Sequence, residues 1–236
     1  MTTTTKVLIT GFGPFLDIAN NPSWSIAKGL SNQMADIDGE NVNIIVPNGP
    51  LPAAYHKIHA QIPALIAEHN PDLVLNIGVD VDSAPGVFKL EKSAKREGYH
   101  DIPDIDRRVF TRAENKKIFG KAAPSLHTSL DIETVVARWR GARFFLRLSD
   151  AANEAPKGKG KSNQGTPVDV QLSDDVGNYV CGFNYYVSML EMQKLYGTRA
   201  VVFLHVPYLT SVEEITIGVQ VVEELLKALV SVHRAQ

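Results

Sequence analysis

The only thiol in the chain, Cys181, lies where a strand and turn, VQLSDDVGNY, give way to a helical pattern. A helix N-terminus carries partial positive charge and unpaired N–H groups, and both favour thiolate over thiol. Those N–H groups also suit the oxyanion that forms when a thiolate attacks a carbonyl. Without such placement a lone cysteine reads as a small buried hydrophobe. A thiol nucleophile needs an imidazole to take its proton and return it to the leaving amine. His205 sits near the end of a buried-strand pattern, RAVVFLHVP, at the edge where α/β proteins gather ligand-facing groups. A third group, usually a carboxylate, should orient that imidazole. Glu91, in the apolar company of Phe88 and Leu90, and Asp104 both qualify, and spacing alone leaves the choice open.

The remaining histidines carry weaker signals. His56 and His59 stand three apart on a helix with its own apolar face, which predicts solvated side chains rather than metal ligands. His69, His127 and His233 read as surface residues. His100 lies among Asp101, Asp104 and Asp106, without the regular spacing of a cation-binding loop. Two glycine patterns mislead. Gly11 and Gly13 follow a strand, but Leu16 stands where a dinucleotide fingerprint needs its third glycine. Gly160-Lys161-Ser162 resembles the end of a phosphate loop, yet Ala155 replaces its first glycine. No metal and no organic cofactor is expected.

The elements that must position these residues follow from periodicity. KVLITGF, NVNIIVP, DLVLNIGV, GVFKLEKSA, VDVQLS and RAVVFLHVP read as strands, and the nearly uninterrupted apolar run of DLVLNIGV predicts burial on both faces. Asn21 and Pro22 predict a capped helix start. Tyr55, Ile58, Ile62, Leu65 and Ile66 mark one face of a helix between about Pro52 and His69. Further helices are expected from Cys181 to Tyr196, stopped by Gly197, and from Ser211 to His233. Residues 95–142 are polar, with one short helix expected around Leu130 to Trp139. The segment 151–167 has the Gly, Pro, Lys and Asn content of an exposed, flexible insertion. Strands alternating with helices predict an α/β sandwich.

Composition limits the classes of function. The chain has 236 residues, 44% of them hydrophobic and 21% charged, which suits one domain over 1–236 with a substantial core. A net charge of −2 gives no standing attraction to nucleic acid. No apolar run approaches the ~20 residues that span a bilayer. The start, MTTTTKVLIT, lacks the pattern of a secretory signal, and one cysteine rules out an internal disulfide. A cytoplasmic location is therefore expected.

Four blocks in order connect these observations: GFGPF at 11–15 with NPSW at 21–24, LEKSA at 90–94, GNYVCGFNYY at 177–186, and FLHVP at 203–207. They resemble the pyroglutamyl peptidase I (pyrrolidone-carboxylate peptidase) family of cysteine peptidases. The resemblance implies a three-layer α/β/α sandwich around a twisted, mostly parallel central sheet. It also implies a Cys-His-Glu triad falling on Cys181, His205 and Glu91, with Asp104 as second choice for the orienting acid. The family's substrate slot falls on Phe12, Phe15, Tyr179 and Val180. An apolar slot suits a flat neutral lactam and penalises a charged amine. The implied partners are peptides with an N-terminal pyroglutamate, and the family includes monomers and homo-oligomers. The chain departs from the family at Val79, where glutamine is common, at Arg96 and Asn178, and in a longer stretch at 143–170. Those departures admit two rivals: an impaired homologue that only binds a lactam or blocked terminus, and an enzyme for another small acyl or ring compound.

Overall fold

The computed structural model describes residues 4–35, 41–142, 146–148 and 165–236. In chain order the first elements are β1 (Thr5–Gly11), α1 (Pro22–Gly29), β2 (Gln33–Ala35), β3 (Asn41–Ile45), α2 (Tyr55–His69) and β4 (Leu73–Val79). The middle of the chain forms β5 (Val87–Glu91), β6 (Ser93–Lys95), α3 (Arg112–Phe119), β7 (Ser125–His127), α4 (Ile132–Ala142) and β8 (Arg147–Leu148). The last are β9 (Thr166–Pro167), β10 (Asp169–Ser173), α5 (Val180–Tyr196), β11 (Val201–Val206) and α6 (Val212–Ala235).

Seven strands form the central sheet in the order β10-β5-β11-β4-β1-β3-β2. β4 lies between β1 and β11, parallel to both, and every one of its residues is buried, as its apolar run requires. β5 runs antiparallel to β11, and β2 antiparallel to β3; the other pairings are parallel. Alternate residues feed two cores. Leu73, Leu75 and Ile77 join Ile26, Trp139 and Leu225 of α1, α4 and α6 on one face. Val74, Val201 and Phe203 join Ile62 and Phe183 of α2 and α5 on the other. The result is the expected α/β/α layering around a mostly parallel sheet.

Local signals act where they were read. Asn21 caps α1 by accepting from Ser23 N, and Pro22 takes the first helical position. Gly197 ends α5 in the left-handed region at φ 71. Ser211 and Glu214 form a reciprocal capping box at the start of α6. Two readings change. GVFKLEKSA is not one strand: it breaks at Lys92 into β5, in the central sheet, and β6, in a separate pair with β7. The polar stretch 95–142 holds α3 as well as α4, and α3 starts on a Thr111–Glu114 capping box. The insertion expected at 151–167, with Gly160-Lys161-Ser162 inside it, lies outside the described residues except for its last three positions, which include β9. No helix among the described residues is long and apolar enough to cross a membrane.

Candidate active site

Sheet register gathers the expected residues on one face. His205 is opposite Lys89 on β5 and beside Gly78 on β4, while Phe203 is opposite Glu91 and beside Asn76. Successive strand residues point to opposite faces, so Glu91, Phe203, His205, Gly78 and Asn76 all look toward α5. Under that helix Thr10 donates to Asn76 Oδ1 at 2.7 Å, and Asn76 donates to Ser188 of α5 at 3.1 Å. These buried hydrogen bonds fix how α5 lies across the strands.

His205 is 7% exposed and Glu91 is fully buried. His205 Nδ1 lies 2.9 Å from Glu91 Oε1, which leaves Nε2 for other work. Burial alone would favour the neutral ring. The neighbouring Cys181 sulfur and the Glu91 carboxylate outweigh it and push the pKa of His205 up to about 10. The fold thereby favours the protonated imidazole, next to the partly exposed side chain of Cys181. Glu91 also accepts the backbone N–H of Asp175 through Oε2, at 3.1 Å.

Cys181 occupies the first turn of α5. Tyr179, the N-cap residue, makes no capping hydrogen bond with its side chain, and the first helical bond runs from Phe183 N to Tyr179 O at 3.1 Å. Among the described residues, nothing accepts from the N–H groups of Val180, Cys181 and Gly182. They form a donor cluster at a positive helix end, beside the sulfur. Gly182 permits the close turn before it, since a Cβ there would lie 2.3 Å from Gly177 O.

Cys181 and His205 open into a cleft of about 520 Å³. Phe12, Phe15, Val79, Tyr179 and Val180 supply apolar wall. The loop carrying the phenylalanines is fastened to the start of α1: Phe12 N donates to Ser23 Oγ at 2.9 Å, and Asn21 Nδ2 donates to Gly13 O at 3.0 Å. The polar side of the cleft holds the Asp80–Lys89 ion pair at 2.7 Å. The lining of the cleft is therefore partly apolar and partly charged.

Asp104 stands elsewhere. Its carboxylate accepts from Tyr55 N at 2.9 Å, and from Asp106 N and Arg108 N at 3.0 Å each. It caps α2, whose own N-cap residue, Ala54, has no side chain to do so. His56 and His59 are half-buried rather than solvated, with rings 5.6 and 6.2 Å from that of Phe110, because aromatic residues of the 110–119 segment pack on this part of α2. His233 is half-buried as well. His100 lies 3.5 Å from Asp101. Among the described residues, no cluster of His, Cys, Asp or Glu is arranged to hold a metal ion. Sequence reasoning missed the Asp175 N–H, the Asp80–Lys89 pair and Gly78; only the last left a trace, as a glycine inside an apolar strand.

A family model described as pyroglutamyl peptidase matches residues 5–154. The chain belongs to that family. The matched stretch holds Phe12, Phe15 and Glu91, whereas Cys181 and His205 lie beyond it. Relatives carry the likeness over more of the chain. Pyroglutamyl-peptidase 1 of Rattus norvegicus is 28% identical over 201 residues, covering 85% of this chain and 78% of its own. The pyrrolidone-carboxylate peptidase of Saccharolobus islandicus is 30% identical over 203 residues, with the same coverage of 85% and 78%. Among solved structures, pyroglutamyl peptidase I from Bacillus amyloliquefaciens superposes with a TM-score of 0.69 at 20% identity, covering 97% of this chain and 96% of that one. The pyrrolidone carboxyl peptidase of Thermococcus litoralis gives 0.68 at 19% identity, covering 97% and 94%. At such identities the likeness to solved structures speaks for the fold alone.

Proposed function

We propose that the protein is a cysteine peptidase that hydrolyses the amide bond after an N-terminal pyroglutamyl residue of a peptide. Family membership supports the substrate class, and one observation carries the chemistry: an imidazole held between a fully buried carboxylate and a thiol, at the mouth of a largely apolar cleft. The lactam ring enters the slot formed by Phe12, Phe15, Tyr179 and Val180. An unblocked terminus brings a charged amine whose desolvation that slot does not repay.

In the first half-reaction the Cys181 thiolate attacks the pyroglutamyl carbonyl and forms a C–S bond. The oxyanion is received by the free N–H groups at the start of α5. His205 donates its Nε2 proton to the peptide amine as the C–N bond breaks, leaving an acyl-enzyme thioester and a neutral ring. In the second half-reaction that ring takes a proton from water, and the hydroxide attacks the thioester. Collapse of this intermediate expels thiolate beside the ring, already protonated by the water, and releases pyroglutamic acid, which loses its proton to solvent. Glu91 keeps Nδ1 occupied, so that Nε2 faces the reaction throughout. Every proton and electron pair is carried by these groups and water, and the scheme draws on no cofactor. A thiol that must stay reduced fits a reducing compartment such as the cytoplasm.

The test is hydrolysis of a fluorogenic pyroglutamyl arylamide under reducing conditions, with glutaminyl arylamide and Cys181→Ala as controls. Dye release from the blocked substrate alone, lost in the variant, is the expected result. A folded protein that releases none would overturn the reading in favour of a lactam-binding homologue.

A further inference from the structure

Gly78 lies in the middle of the buried face that carries His205, and its lack of a side chain is unusual there. Glycine inside a strand weakens it, and Gly78 does not have the positive φ that would explain its choice. The reason is space. A Cβ at Gly78 would lie 2.9 Å from Cys181 Sγ, and 2.8 and 3.0 Å from Cζ and Cε1 of Phe203. Phe203 is fully buried, and its ring lies 4.9 Å from the imidazole of His205. Behind it stands Tyr185 at 5.9 Å, itself fixed by donating its hydroxyl to Glu91 O at 3.1 Å. The ring therefore has little room to retreat, and pushing it moves the wall on which His205 rests.

We propose that Gly78 is a positioning residue for the hydrolysis: its missing side chain is the seat of the Cys181 sulfur, and this seat sets how closely sulfur and imidazole approach. The inference rests on Cys181 being the nucleophile. A methyl group at this position would turn the sulfur out of its seat, or drive Phe203 against His205. The slot formed by Phe12, Phe15 and Tyr179 would be left in place, so the damage should fall on kcat and not on KM. A misplacement of about 1 Å between reacting groups costs about 10²-fold in rate.

The experiment compares the wild type with Gly78→Ala and with Gly78→Ala/Phe203→Leu, by turnover of pyroglutamyl arylamide, thermal midpoint and NMR titration of the His205 ring. Leucine removes the ring edge that the new methyl meets but leaves the collision with sulfur. For Gly78→Ala we expect kcat to fall about 10²-fold, KM to stay near its wild-type value, and His205 to titrate at lower pH as the sulfur moves away. The double variant should regain thermal stability and remain slow, with His205 still titrating low. Recovery of turnover together with stability would overturn the inference, because Gly78 would then serve only to make room for Phe203. Wild-type titration and turnover in Gly78→Ala would also overturn it. Failure of the wild type itself to cleave the arylamide would instead reject the peptidase reading, and the His205 titration would still report whether Gly78 seats the sulfur.

Discussion

The carboxylate of Glu91 that holds the His205 ring also accepts the backbone N–H of Asp175, six residues ahead of Cys181. One buried side chain thus ties the orientation of the His205 ring to the loop that leads into Cys181. Glu91→Gln keeps the size and replaces one acceptor oxygen by a donor. The amide can satisfy only one of its two former partners and sets N–H against N–H at the other. We expect kcat/KM to fall about 10²- to 10⁴-fold, the range of general acid–base contributions. Glu91→Ala should add a loss of about 3–5 kcal/mol in stability, since it leaves a buried charge without its partner. Steady-state kinetics and urea denaturation of the two variants separate these effects. Near-normal turnover in Glu91→Gln would remove Glu91 from the mechanism.

Much of this arrangement was legible in the sequence, for reasons that differ by residue. α5 and β11 announce themselves by pattern, and they carry Cys181 and His205 at their ends, so both candidates could be named from local signals. Glu91 stood out as a charge among apolar neighbours, but its pairing with His205 depends on β5 lying antiparallel to β11, a register 114 residues apart in the chain. Nothing local separates it from Asp104, whose task as the cap of α2 is set by a contact across 49 residues. Gly78 is the extreme case: its role is defined by what approaches it from α5 and β11, and the strand pattern of β4 reads the same with or without that approach.

The protonated state of His205 sets the direction of the pH response. Its pKa is raised in the fold to about 10, from the ordinary histidine value of 6.5. A raised pKa contributes stability that is fully present below the unfolded value and is lost as pH rises through the folded one. Unfolding free energy should therefore decline between about pH 6.5 and pH 10. The alkaline limb of kcat/KM should fall near the top of that window, because the ring must carry a proton for the leaving amine. In Glu91→Gln one source of the upward shift is gone, and both the decline and the limb should move to lower pH. Denaturation curves and rate profiles across pH 6–10 check both. A limb that stays in place would mean that Glu91 does not set the charge of the ring.

Asp104 offers the opposite outcome to Glu91. Three backbone N–H groups converge on it, one of them opening α2, and it makes no described hydrogen bond to His205. Asp104→Ala should lower stability by about 1–3 kcal/mol, as expected for a lost cap with buried donors left unpaired. The folded fraction should turn over pyroglutamyl arylamide at close to the wild-type rate. A kcat loss like that of Glu91→Gln, with stability intact, would return Asp104 to the orienting role.

The two phenylalanines of the slot should separate by burial. Phe12 is 2% exposed and packs in the core beneath α2, so Phe12→Ala should cost about 3–5 kcal/mol and reduce the yield of folded protein. Phe15 is only partly buried, in a turn closed by Phe15 N to Ile18 O at 3.1 Å and by Ile18 N to Phe15 O at 2.9 Å. Those backbone bonds persist whatever side chain stands there. Phe15→Ala should therefore leave the fold unchanged and remove apolar surface from the slot alone. Losing about 1.5–3 kcal/mol of apolar contact corresponds to a rise in KM of about 10- to 100-fold, with kcat within threefold. Discrimination against glutaminyl arylamide should weaken too, because a wetter slot penalises a charged amine less. An unchanged KM in a folded Phe15→Ala variant would place the lactam elsewhere in the cleft, toward the Asp80–Lys89 pair.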